Sequence, residues 1–167
     1  MANQGKKPTR RSERALAFQV LYGLSFSPAT TEGALRAAYA ASPDVADRTD
    51  RAENEKSGRH DPATAPQGYA WEVIHGVWKT QAELDEAVSG FSQNWRVERM
   101  GRVELTLLRI AVYEMLFRDD VPAKVAMNEA IELSKQFGDD NSRGFINGIL
   151  DAVARALESG RLSPKGQ

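Results

Sequence analysis

Apolar positions recur along this chain at intervals of three and four residues, the period of a helix buried on one side. Leu16, Val20 and Leu24 fall at i, i+4 and i+8 with Ala17 and Leu21 beside them, which predicts a first helix that Thr9 or Ser12 can cap. A second helix is expected from Ser27-Pro28, a cap followed by a first-turn proline, with Leu35, Ala38 and Tyr39 on one face until Ser42-Pro43 stops it. Ala70, Val73, Ile74, Val77, Leu84 and Val88 predict a third, ending near Gly90. The fourth, from about Arg102 to Phe117, is the most apolar. Val103, Leu107, Ile110 and Ala111 line one side of it, and Leu108, Val112 and Met115 widen that side, so it belongs at the centre. Asp119-Asp120-Val121-Pro122 is a start signal for a fifth helix, whose Ala126, Ala130, Leu133 and Phe137 repeat until Gly138 ends it. The sixth begins within residues 139–142 and carries Ile146, Ile149, Val153, Ala156 and Leu157. No window alternates as a strand does, and Asn147-Gly148 lies inside a helical period rather than between strands. The expected class is all-α, about six helices.

Three stretches lack the pattern. Residues 1–8 hold Gly5, Pro8 and two lysines with no large apolar residue beyond the initiator, and read as a mobile basic arm. Residues 159–167, SGRLSPKGQ, read as a fraying tail. Between residues 42 and 68 Val45 is the only large apolar side chain, while Arg48, Arg51, Lys56 and Arg59 alternate with Asp44, Asp47, Asp50, Glu53, Glu55 and Asp61. Such a segment buries too little to offset its ordering entropy, so it is expected to be a disordered insertion within one helical domain spanning residues 9–158.

Length and composition then exclude several classes. A chain of 167 residues with 41% hydrophobic residues builds about one domain. The absence of cysteine removes disulfides, thiolate metal sites and cysteine nucleophiles and suits a cytoplasmic location. No apolar run reaches the roughly 18 residues of a membrane span. Neither GxGxxG nor GxxxxGK[ST] nor HExxH occurs. His60 and His75 read as surface or packing residues. Asp119-Asp120 and Asp139-Asp140 read as helix caps rather than a catalytic pair. Glu114 falls on or beside the apolar face of the fourth helix, where a buried carboxylate needs partners; it reads as a structural hydrogen bond or ion pair inside the bundle rather than a catalyst, because no base, nucleophile or oxyanion device accompanies it. The sequence predicts neither an enzyme nor a cofactor.

Charge changes the picture at one end only. The net charge is −1, yet residues 6–14 hold five basic residues, Lys6, Lys7, Arg10, Arg11 and Arg14, against the single acid Glu13. At about 100° per residue, Arg11, Arg14, Phe18 and Tyr22 form a row opposite the Leu16/Val20/Leu24 stripe. Cations hold phosphates and aromatic faces stack unpaired bases, so the row is expected to be a single-stranded nucleic-acid site. The competing expectation is a solvated arm, with Phe18 and Tyr22 packed on another helix.

These residues also carry a family likeness. RRSERALAFQVLYGLS and LLRIAVYEMLFRDDVPAKVAMNEAIELSKQFGDDNSRGFINGILDAVA resemble the opening and the C-terminal half of the NusB family of bacterial transcription antitermination factors, with a weaker match over Gln67–Arg109. The resemblance implies two small helical bundles. It also implies a non-catalytic role: binding boxA RNA together with the ribosomal protein NusE, in an RNA polymerase elongation complex on ribosomal RNA operons. It assigns RNA contacts to Arg10, Arg11, Arg14 and Tyr22, and places Glu104, Asn141 and Phe145 around the RNA and partner surface. Glu98 and Glu104 are the implied NusE contacts. Where relatives often carry a lysine before the phenylalanine, this chain has Gly144, with Arg143 one place earlier as the candidate cation. The alternatives are a stand-alone RNA-binding module related to the N-terminal domain of ribosomal RNA cytosine methyltransferases, and a helix-turn-helix DNA binder. The last helix opposes the DNA-binding alternative, because its apolar residues cover much of its circumference.

Overall fold

The computed structural model describes residues 7–48, 66–93 and 95–166, which form helices and turns and no strand. They fall into two compact units, Met1–Glu72 and Val73–Gln167.

In the first unit α1 (Arg10–Leu24) is capped by Thr9, whose Oγ1 accepts the Ser12 N–H at 3.1 Å. α1 packs on α2 (Glu32–Ala40). The second helix starts later than Ser27-Pro28, and Thr31 caps it by accepting the Ala34 N–H at 3.1 Å. The N–H groups of Ser25, Phe26 and Ser27 are instead spent on the last carbonyls of α1, so this stretch finishes one helix rather than opening the next. Leu35 is the anchor of α2 and is fully buried.

The expected disordered insertion opens with a helical segment, α3, over 43–48. The N–H groups of Val45 and Ala46 close its first turn on the Ser42 carbonyl. Hydrophobic periodicity could not reveal it, because what holds it includes an ion pair, Arg48 Nη1 to Glu13 Oε1 at 2.7 Å. Residues 49–65 of the expected insertion lie outside the described residues, as do Lys6 and most of the arm.

Helix α4 (Tyr69–Phe91) contributes its first turn to the first unit and the remainder to the second. It kinks at Thr80 (φ −110°, ψ 15°), whose hydroxyl donates to the Gly76 carbonyl at 2.7 Å. A hydroxyl bonded to the carbonyl four residues earlier is a common cause of helix bending. A short 3₁₀ turn, Val97–Arg99, leads into α5 (Arg102–Phe117). α5 buries Leu107, Leu108, Ile110, Ala111, Val112, Met115 and Leu116 and packs on both α6 (Ala123–Phe137) and α7 (Asp140–Glu158), as its all-round apolar surface requires. Arg109 on α5 clamps Asp85 on α4 through two hydrogen bonds of 2.7 and 2.8 Å. Glu114 is 1% exposed.

The two acidic pairs behave differently. Asp139 caps α7: its side chain accepts the Ser142 N–H at 2.9 Å while Ser142 Oγ accepts the Asp139 N–H. Asp120 instead holds Arg118 through contacts of 2.9 and 3.0 Å, and α6 follows Pro122 at its N-cap position with no side-chain cap. The tail is not frayed over its described length. Leu162 N–H bonds the Ala156 carbonyl, and the N–H groups of Lys165 and Gly166 both reach the Leu116 carbonyl, at 2.7 and 3.0 Å. Lys165 Nζ also meets Glu83 at 2.8 Å. The tail thus satisfies a carbonyl that the end of α5 leaves open. No described helix is long and apolar enough to cross a membrane.

Candidate nucleic-acid interface

The basic cluster is organised by two residues that the charge pattern does not single out. The Arg10 guanidinium carbon stands 3.9 Å from the centroid of the Tyr69 ring, and that of Arg14 stands 5.4 Å away. The four-residue spacing along α1 brings both arginines to this ring, whose quadrupole attracts a cation. Tyr69 opens α4 directly after Gly68, whose φ of +103° lies in the left-handed region that favours glycine. Glu13 fixes the junction. Its Oε2 accepts the Ala70 N–H at 3.0 Å, one of the open donors at the start of α4, while its Oε1 takes Arg48. By composition Glu13 only dilutes the positive charge; in the fold it is 7% exposed and builds the platform under the arginines. Burial, and then the Glu13 carboxylate, push the Tyr39 hydroxyl above the ordinary tyrosine range, against the lowering effect of Arg48, so it stays neutral.

The expected open row along α1 is corrected here. Arg11 is exposed and Tyr22 half-buried, but Arg14 and Phe18 are 4% and 2% exposed. Helical periodicity states which residues share a line, not which lines are covered, and α1 is covered on more than its Leu16/Val20 stripe. The aromatics instead form a series. Phe18 stacks on Tyr22 (5.6 Å, 15°), and Tyr22 meets Phe26 edge-on (5.1 Å, 81°), with Phe26 57% exposed. Among the described residues, the accessible cations near this helix start are Lys7, Arg10 and Arg11.

The second unit carries a separate cluster. Asn141 is exposed in the first turn of α7, Arg143 pairs with Asp140, and Phe145 is half-buried with Trp95 edge-on to it at 6.1 Å and 79°. Glu98 is exposed. Glu104 is half-buried and already engaged: it accepts a hydrogen bond from Ser142 Oγ, and its carboxylate covers the place where a side chain on Gly101 would stand. His75 lies beside Trp78 in α4, with ring centroids 6.2 Å apart, and His60 is outside the described residues. Tyr69, Trp95 and the exposed Phe26 are site aromatics that sequence reasoning did not single out. Tyr69 becomes informative only through residues more than fifty positions away, and Trp95 lies in a connection with no periodicity.

Comparison with known proteins follows the same lines. A model of the NusB family matches residues 11–155. The chain is 93% identical over all 167 residues, and over the whole of that relative, to a transcription antitermination protein NusB of Nitratidesulfovibrio vulgaris strain Miyazaki F. It superposes on a crystal form of Thermotoga maritima NusB with a TM-score of 0.69 at 28% identity, covering 94% of this chain and 100% of the other. A chain from the crystal structure of antitermination factors NusB and NusE with dsRNA shares the fold, with a TM-score of 0.64 at 22% identity, covering 89% of this chain and 97% of that one. With the helical architecture and the arginine-rich opening of α1 in place, the chain belongs to the NusB family.

Proposed function

We propose that this chain is a transcription antitermination factor that binds boxA RNA jointly with the ribosomal protein NusE, on ribosomal RNA operons and in contact with the RNA polymerase elongation complex. It works by binding and not by catalysis. The observation that carries the reading is the pair of arginines set against Tyr69 at the start of α1. A guanidinium set over a ring is positioned by it, and its planar fork of N–H groups matches the geometry of phosphate oxygens. Arg10 is the principal phosphate contact, with Arg11 and Lys7 adding charge. Arg14, being buried, holds Tyr69 in place, and Phe18 supports Tyr22 from the core side. Tyr22 supplies a ring for an unstacked base. On the second unit Asn141, Arg143 and Phe145 supply an amide, a cation and a ring, while Glu98, and Glu104 to a lesser extent, suit a basic ribosomal protein. Two comparisons support the reading: the near-identical relative is a transcription antitermination protein, and a protein of the same fold was solved with NusE and RNA.

A salt titration tests it, with fluorescently labelled boxA-like RNA, random single-stranded RNA, duplex RNA and duplex DNA, each with and without NusE. The boxA-like strand should bind most tightly and gain most from NusE. Equal affinity for all four nucleic acids, or no RNA binding at any salt, would defeat the proposal.

A further inference from the structure

Trp95 is an exposed aromatic with a built foundation. It is 56% exposed, against 8% for Trp71. A large ring left in water forgoes burial, and where such a ring is also held in place it marks a binding surface. The backbone beneath it is fixed twice by Ser92: the Trp95 N–H donates to the Ser92 carbonyl at 3.0 Å, and Ser92 Oγ, itself buried, donates to the Trp95 carbonyl. Gln93, two residues earlier, sits at φ +39°, in the left-handed region that a non-glycine residue adopts at a cost. The turn is therefore strained in the act of presenting the indole. Phe145 meets that indole edge-on at 6.1 Å and limits its rotation. Beside it opens a polar cleft of about 500 Å³, lined by Ser89, Ser92, Gln93, Arg96 and Glu98 as well as Trp95.

We propose that Trp95 is a stacking platform for one unpaired RNA base, with the adjoining cleft receiving that nucleotide's polar edge. The assignment rests on the RNA reading above and extends it to a residue outside the arginine-rich helix. The cleft contains the parts a nucleotide needs: the amide of Gln93 and the hydroxyl of Ser89 for a base edge, Arg96 for a phosphate, and an indole face for the base. A planar face takes any base, so the platform adds affinity for single strands more than sequence preference. Arg96 and Glu98 both line the cleft, so its charge does not choose between RNA and a basic protein; the exposed indole face, which suits a planar base, favours RNA.

The full-length chain is titrated with a boxA-like single-stranded RNA at several salt concentrations. Trp95→Ala should weaken binding roughly 5- to 150-fold, the worth of one base–aromatic stack, with an unchanged salt slope. Trp95→Tyr should restore most of the loss. A series of RNAs with one abasic nucleotide at a time supplies a second readout. One position should be costly in the wild type and cost nothing further in Trp95→Ala, a coupling that a merely structural tryptophan would not produce. Wild-type binding that survives Trp95→Ala unchanged overturns the assignment alone. So does loss of NusE binding with RNA binding intact, which would make the indole a protein contact. A wild-type chain that binds no RNA overturns the RNA reading and this assignment together.

Discussion

Glu13 shows how one residue reverses its meaning between sequence and fold. As a charge it opposes the surrounding lysine and arginines, and removing it should tighten RNA binding. As a hydrogen-bond acceptor it fixes the start of α4 through the Ala70 N–H, and with it the ring on which Arg10 rests. The geometric role dominates, because a buried N–H left without its acceptor costs about 1–3 kcal/mol, whereas one charge at a largely solvated cluster is screened within about 10 Å. Glu13→Ala should therefore lower stability by that amount and weaken RNA binding. Arg48→Ala removes the more exposed half of the same ion pair and should cost less than about 1 kcal/mol. Urea unfolding of the two variants, with RNA affinity measured on the folded proteins, checks both. Tighter RNA binding by Glu13→Ala would show that charge outweighs placement.

At the scale of elements, helices with a one-sided apolar pattern were legible, and their neighbourhoods were not. The span of α5 and its central position follow from its apolar residues alone, and Asp139 was readable as a cap from local sequence. The burial of Arg14 and Phe18, the helical segment at 43–48 and the docking of the tail depend on contacts between distant residues, which no period encodes. The Asp139 cap makes a pH prediction. Hydrogen bonds from the Ser142 backbone and side chain hold the Asp139 carboxyl below its ordinary value. Its contribution is thus complete above the ordinary aspartate pKa near 4 and is lost as pH falls through the lower folded value. Asp139→Asn, which keeps an acceptor but cannot ionise, should flatten the acid side of a melting-temperature profile. An unchanged profile would mean the cap is neutral in its effect.

Helix α7 carries a second element-scale test at Gly144. A β-carbon there would meet nothing within 4 Å, so the glycine is not demanded by packing and loosens the helix by about 0.5–1 kcal/mol relative to alanine. Gly144→Ala should raise stability by about that much and leave RNA affinity alone. Gly144→Lys adds a cation between Arg143, already paired with Asp140, and Phe145. If this turn faces RNA, the salt slope on a single strand should steepen by about 0.7, the value of one added phosphate contact. Stabilisation without any change in slope would place the turn away from the RNA backbone.

At the scale of the whole molecule the decisive quantity is the net charge of −1. A protein so nearly neutral has little long-range attraction for a polyanion, and among the described residues the accessible cations at the start of α1 are few, so RNA binding by the isolated chain should be weak, with a shallow salt slope of about 0.7 for each phosphate contact. Affinity and selectivity then have to come from a second RNA-contacting protein held on the same complex, which adds contacts without a second full association cost. NusE should accordingly tighten boxA binding by about 5- to 150-fold, the usual range for a coupling of 1–3 kcal/mol. Because coupling free energy is shared by both ligands, boxA RNA must tighten NusE binding by the same factor. Isothermal titration of NusE into the free chain and into the chain saturated with RNA measures one side of this equality, and RNA titrations with and without NusE measure the other. Equal factors above one establish a joint site. Factors of one on both sides mean that the two partners bind independently, and the joint recognition proposed for this chain fails.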